Sequence, residues 1–160
     1  MTGPLRVPDL EAQRSAMKRL SFLVGTWIGE ANVLRAPGQT VQLVQTEDAR
    51  YKLDGLILVI EGIGKTSEGA AVLQAHGVIS YEDDRNAYRM RAFNDGRFLE
   101  TDVTLLEDGG GMSWGFALGE ITTKSVLRIS EKGEWTEMHE INIGSQPAKK
   151  LMEVVARRQA

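Results

Sequence analysis

The stretch Leu20-Ser-Phe-Leu-Val-Gly-Thr-Trp-Ile-Gly-Glu-Ala-Asn-Val33 decides how this chain reads. A helical pattern ends inside it and the first long strand pattern begins. Gly25 and Gly29 bracket Trp27. Glycine lets a chain turn sharply and approach other backbone closely. A tryptophan between two glycines can lie across the end of a sheet with no neighbouring Cβ in its way. Strand patterns fill the rest of the chain, so Trp27 is expected to plug one end of a closed sheet.

Upstream, Asp9 predicts a helix N-cap, with Ala12 at the third helical position. Leu10, Met17, Leu20, Phe22, Leu23 and Val24 fall mostly at helical spacings, and Arg14, Lys18 and Arg19 fall on the other side. This predicts one amphipathic helix over about residues 10–23, ending before Gly25. Residues 1–8 carry Pro4 and Pro8 and are expected to form a flexible arm. Residues 9–160 then form a single domain, as the length suggests.

Downstream, Thr26–Arg35 predicts the first strand and Pro37-Gly38 a turn. In Gln39–Leu53 the residues Val41, Leu43, Gln45, Glu47, Ala49 and Tyr51 share one face, the period-two pattern of a half-buried strand. Asp54-Gly55 and Asp95-Gly96 are hairpin dipeptides. Gly62 and Gly64 suggest a bend or bulge in the strand Leu56–Lys65. Further strands are predicted over Ala71–Tyr81, Ala87–Asn94, Arg97–Leu106, Met112–Leu118, Ser125–Ser130, Trp135–Ile143 and Lys149–Arg158. That makes ten strands joined by short turns, with no long crossover. The expected fold is all-β: an antiparallel up-and-down barrel with an N-terminal helix. Closure removes the exposed edges so long a sheet would otherwise carry.

Composition narrows the function. Cysteine is absent, which excludes disulfides, thiolate catalysis and thiolate metal sites. Net charge is -3 with no basic block, so nucleic acid is not an expected partner. No run of about 18 apolar residues suggests a membrane span. The start Met-Thr-Gly-Pro-Leu-Arg-Val-Pro lacks the pattern of a signal peptide, so the expected location is the cytoplasm.

The helix, the G-x-W at the start of strand one, the ten-strand meander and a basic residue near the end of the last strand together resemble the calycin superfamily. That group holds lipocalins, fatty-acid-binding proteins and nitrobindin-like barrels. Leu23-Val-Gly-Thr-Trp-Ile-Gly-Glu30 is similar to the opening of nitrobindin-like proteins, and as similar to an uncharacterised bacterial family of calycin-like domains. Trp135-Thr-Glu-Met-His-Glu140 followed by Lys149-Lys-Leu-Met-Glu-Val154 fits that second family's closing hairpin. The resemblance implies that Trp27, set by Gly25, packs under Arg157 or Arg158. A cation over an indole face stabilises by about 0.5–2 kcal/mol. Nitrobindin-like barrels carry haem on a histidine near the C-terminal strand. The matching region Gln146–Ala156 has none, so no cofactor is expected.

A barrel of ten strands encloses more room than eight strands need for packing, so a ligand cavity is expected. Candidate ligand-binding residues are Tyr88, Met90, Met112, Trp114, Phe116, Met138 and His139. Arg89 and Arg91 share one strand face; inward, they would fork a carboxylate, and outward, they would pair with Glu100 and Asp102. The outward case is favoured, because Leu99, Thr101, Val103 and Leu105 form the better core face. His139 has Glu137 on its own face, and His76 has Gln74. Two isolated histidines make a poor metal site, which needs three or four converging ligands. No serine sits in a nucleophile elbow. The expected function is binding of a small hydrophobic or amphipathic molecule. The alternatives are a cavity-based isomerase or hydrolase using Glu, Tyr or His, and a filled barrel that pairs as a homodimer.

Overall fold

The computed structural model describes residues 5–160. The helix α1 spans Leu10–Lys18, followed by a short 3-10 turn at Ser21–Leu23. Eleven strands follow: β1 (Gly25–Ala36), β2 (Gln39–Lys52), β3 (Ile57–Lys65), β4 (Ala71–Glu82), β5 (Ala87–Asn94), β6 (Arg97–Leu105), β7 (Gly111–Trp114), β8 (Ala117–Leu118), β9 (Ile121–Ile129), β10 (Glu134–Ile143) and β11 (Lys149–Arg158). Every neighbouring pair is antiparallel, and β11 returns to β1, so the sheet closes. The short strands β7 and β8 both pair with β9 and occupy one wall position, giving a ten-stranded barrel.

That wall position was expected to be one continuous strand, Met112–Leu118. It breaks at Gly115, where a side chain would run into the Thr123 carbonyl oxygen. Thr101 Oγ1 donates to the Gly115 carbonyl (2.7 Å), and the Phe116 N–H donates to Thr123 Oγ1 (3.1 Å). Side-chain hydroxyls thus satisfy backbone groups that the interrupted ladder leaves over.

The N-terminal helix is shorter than expected. Asp9 caps it through Ala12 N–H (3.0 Å). Asp83, in the β4–β5 turn, accepts from Gln13 Nε2 (2.8 Å), the Asp9 N–H (3.0 Å) and Arg6 (2.8 Å). The Gln13 and Asp9 donors hold the Asp83 carboxyl below its usual range. Of the expected arm, residues 1–4 lie outside the described residues, and Arg6 is paired with Asp83. At the helix C-terminus Tyr88 Oη donates to the Ala16 carbonyl (2.7 Å) and Tyr51 Oη to the Met17 carbonyl (2.6 Å). The barrel therefore takes up these helix-end acceptors itself. The chain tightens into the 3-10 turn, which brings Leu20 and Leu23 into the core beside Met17.

Trp27 closes this end. Its ring is 1% exposed and lies 5.5 Å from that of Trp135. Its Nε1 donates to the Leu23 carbonyl (2.9 Å). Of the two basic candidates, Arg158 is the one stacked, its Cζ 4.3 Å from the Trp27 ring centre. Arg158 also donates to the Val24 and Phe22 carbonyls. Arg157 instead points outward to Glu134 (3.1 Å). Strand alternation requires this: residues one apart face opposite sides of the sheet. Gly25 has φ +139°, and any side chain there would meet the Arg158 guanidinium.

Arg158→Leu is expected to lower stability by about 1–2 kcal/mol through the lost stacking and hydrogen bonds. Arg157→Leu should stay within about 0.5 kcal/mol of the parent. Urea unfolding followed by tryptophan fluorescence measures both, and equal losses would contradict the assignment.

Candidate functional site

Between the tryptophan floor and the opposite end of the barrel lies a cavity of about 310 Å³. Its wall is mostly apolar: Ile60, Leu73, Ile79, Met90, Leu99, Met112, Trp114, Phe116, Leu127 and Met152 contribute. Set into that wall is a polar cluster from three strands: Gln45 and Glu47 of β2, Ser125 of β9, and Glu137 and His139 of β10. Burying such groups is costly unless they find partners. Their partners therefore show how the cluster is arranged.

Glu137 and His139 lie two residues apart on β10, on the same face as Trp135. Trp135 Nε1 donates to Glu137 Oε1 (2.8 Å). His139 Nε2 lies 2.7 Å from Glu137 Oε2 and donates to it. In that tautomer the neutral ring's Nδ1 accepts from the Ser125 hydroxyl (2.6 Å). Ser125 stands directly across from His139 in the β9–β10 register and from Trp114 in the β7–β9 register. The Trp114 ring meets His139 edge-on at 5.9 Å. Hydrogen bonding thus runs unbroken from Ser125 through His139 and Glu137 to Trp135.

Across the barrel, Gln45 Nε2 donates to Glu47 Oε1 (2.7 Å). Glu47 faces Trp27 on one side and Gly62 on the other, and Gln45 faces Gly64. Gly62 and Gly64 make room for these side chains. A Cβ at Gly62 would sit 2.8 Å from Glu47 Oε2, and one at Gly64 would sit 2.8 Å from Gln45 Oε1. Here the two glycines matter for the space they leave. The register shift of β3 lies in its pairing with β4, between Gly64 and Lys65. Ala75, Gly77 and Ala92 keep the neighbouring wall shallow.

Two acceptors in this half lack a partner among the described residues. Gln45 Oε1 is fully buried and accepts no hydrogen bond. Glu47 is 5% exposed, lines the cavity, and is hydrogen-bonded through Oε1 alone. Burial, reinforced by the charge of Glu137, pushes the Glu47 carboxyl well above its usual range against the opposing Gln45 hydrogen bond.

The expected lining residues divide by strand face. Met90, Met112, Trp114, Phe116 and His139 all line the cavity. Tyr88 faces inward but belongs to the helix-capped end, where its hydroxyl is spent on Ala16. Met138 lies outside the cavity, because alternation in β10 turns it away from Glu137 and His139. Arg89 and Arg91 also lie outside and bind Asp102, Glu100 and Glu82 on the outer surface. The carboxylate fork they would have offered inside the barrel is therefore absent. His76 is on the outer face too, paired with Glu61 (3.0 Å). His139, the cavity's own histidine, has both ring nitrogens engaged. Gln45, Glu47 and Ser125 were not singled out from sequence. The available signal was the pair Gln45 and Glu47 on the face that carries Leu43 and Ala49.

Glu47 makes stability depend on pH. A raised carboxyl means that the folded state holds a proton the unfolded chain has already released. Unfolding free energy therefore falls as pH rises from the ordinary carboxylate range through the raised value. Glu47→Gln is expected to remove this part of the pH dependence and to be more stable than the parent at pH 8. Urea midpoints between pH 4 and pH 8 test it; parallel profiles for the two proteins would refute it.

No protein-family model matches the chain. No curated protein matches it either. Among solved structures it is similar to that of Rv2717c from M. tuberculosis, with a TM-score of 0.71 and 15% sequence identity. The match covers 91% of this chain and 98% of the other. At that identity the likeness concerns the barrel fold alone.

Proposed function

We propose that this protein is a calycin-like binding barrel whose cavity takes a small amphipathic molecule. One observation carries the reading: a 310 Å³ space in the barrel interior, apolar over most of its wall, with a polar cluster from β2, β9 and β10 on its floor. Pockets for small ligands combine an apolar lining with a few placed polar groups in this way. Small residues on β3, β4 and β5 keep the space open, where larger ones would fill it. The outward course of Arg89 and Arg91 removes the basis for fatty-acid-type recognition. The polar end of the ligand then belongs with Glu47, Gln45 and His139, and its apolar body with Met90, Met112, Trp114 and Phe116. No helix among the described residues is long and apolar enough to cross a membrane.

One observation favours a second reading, acyl transfer in the cavity. Ser125, His139 and Glu137 are hydrogen-bonded in the order nucleophile, base and carboxylate. In such a step the Ser125 oxygen would bond to the acyl carbon while His139 Nδ1 took its proton, later passed to the leaving group.

Two measurements separate these readings. The neutral fluorescent probe N-phenyl-1-naphthylamine is expected to bind the parent, and Ala75→Phe, which fills the space beside Gly62, should abolish binding with little change in the unfolding midpoint. Equal binding by both proteins would place the probe outside the barrel. A fluorophosphonate adduct on Ser125, lost in Ser125→Ala and His139→Gln, would establish the acyl-transfer reading; no adduct is the outcome expected for a binding barrel.

A further inference from the structure

Three of the hydrogen bonds on the cavity floor end on a glutamate. Trp135 Nε1, His139 Nε2 and Gln45 Nε2 are each directed at a glutamate oxygen. What remains without a partner is Gln45 Oε1, which is buried, and Glu47 Oε2, an acceptor once the carboxyl is ionised. A ligand that presents acceptors, such as a carboxylate or a phosphate, would meet two glutamates and no free N–H there. A ligand that presents donors completes the arrangement.

Charge sharpens the choice. The charged or titratable side chains on the cavity lining are Glu47 from β2, Glu137 and His139 from β10, and Arg97 from β6. His139 is committed to Glu137 (2.7 Å). Arg97 is exposed at the start of β6, beside the Asp95-Gly96 turn, four strands round the wall from Glu47. No cation therefore stands against Glu47. A buried carboxyl without one is costly to ionise, and a proton is the cheapest partner the empty site can supply. A ligand cation can take the proton's place.

We infer that the ligand is a compact amphipathic amine, its ammonium group against Glu47 Oε2 and its apolar body among Met90, Met112, Trp114 and Phe116. This rests on the binding-barrel reading and assigns its ligand class. Binding replaces the carboxyl proton with an N–H donor and releases that proton to solvent. Affinity for the amine accordingly rises with pH while the carboxyl is still protonated in the unliganded barrel. A neutral alcohol of the same frame leaves the proton in place and shows no such dependence.

Isothermal titration of the full chain with 2-phenylethylamine, 2-phenylethanol and phenylacetate tests this on a single carbon frame. At pH 7.5 the amine is expected to bind at least tenfold more tightly than the alcohol, with phenylacetate weakest. The margin of amine over alcohol should widen between pH 5 and pH 7.5. Glu47→Gln should bring the amine down to the level of the alcohol and leave the alcohol unchanged. The pH series on the parent stands independently if that variant folds poorly. An alcohol equal to the amine, or phenylacetate as the tightest ligand, overturns the amine assignment. If none of the three binds while N-phenyl-1-naphthylamine still does, the amine assignment fails and the binding barrel stands. If the naphthylamine does not bind either, both fail.

Discussion

The Arg158 guanidinium lies over the Trp27 ring and donates to the carbonyls of Phe22 and Val24. This joins the last strand, the first strand and the turn after the helix at one point. An antiparallel sheet with free ends would expose two rows of unpaired backbone groups. Pairing β11 with β1 removes both, but it also leaves a tube whose end must be sealed. Trp27 and Trp135 seal it, with α1 laid across and held by the hydroxyls of Tyr51 and Tyr88. The other properties of the interior follow from having one sealed end. Side chains just above the tryptophans are cut off from bulk water by a dry floor, and that isolation gives the polar cluster its character.

Two glutamates in one small cavity would repel each other if both were charged and unpartnered. The structure treats them differently. Glu137 receives Trp135 and His139, while Glu47 receives only Gln45 and is held above the usual carboxylate range. Strongly perturbed buried acids such as Glu47 concentrate at functional sites. The room around Glu47 comes from its neighbours: Gly62 beside it and Ala75 beyond leave space where larger residues would pack. A barrel selected for stability alone would fill this volume, because voids and unpaired polar groups both destabilise.

Much of the architecture was legible in the chain. The N-cap at Asp9, the glycines around Trp27 and the strand periodicity are local signals, and short turns make sequential pairing the simplest topology. The strand break at Gly115 was not legible, because it depends on Thr101 and Thr123 from two other strands. Among the site residues, the lining by Met90, Met112, Trp114, Phe116 and His139 was anticipated, while Met138 was placed on the wrong face of β10. The neighbouring pair Trp135 and His139 should have settled that face, since residues two apart point the same way. Gln45 and Glu47 were seen on the same face as Leu43 and Ala49, but polar residues usually mark the solvent side. That rule fails where a cavity, and not a packed core, lies behind the strand.

The amino-acid sequence by itself determined the all-β class, the closed meander, the helix that precedes it and the tryptophan at its foot. Each is written in residues close together along the chain, where spacing and turn chemistry act locally. Only the tertiary structure decided that Arg158 stacks on Trp27, that Arg89 and Arg91 face outward, and that Glu47, Gln45, Ser125, Glu137 and His139 meet in one cavity. Those outcomes depend on the register of every strand pair round the ring. Closure couples residues as distant as Glu47 and Glu137, and no local pattern records a distance across a barrel.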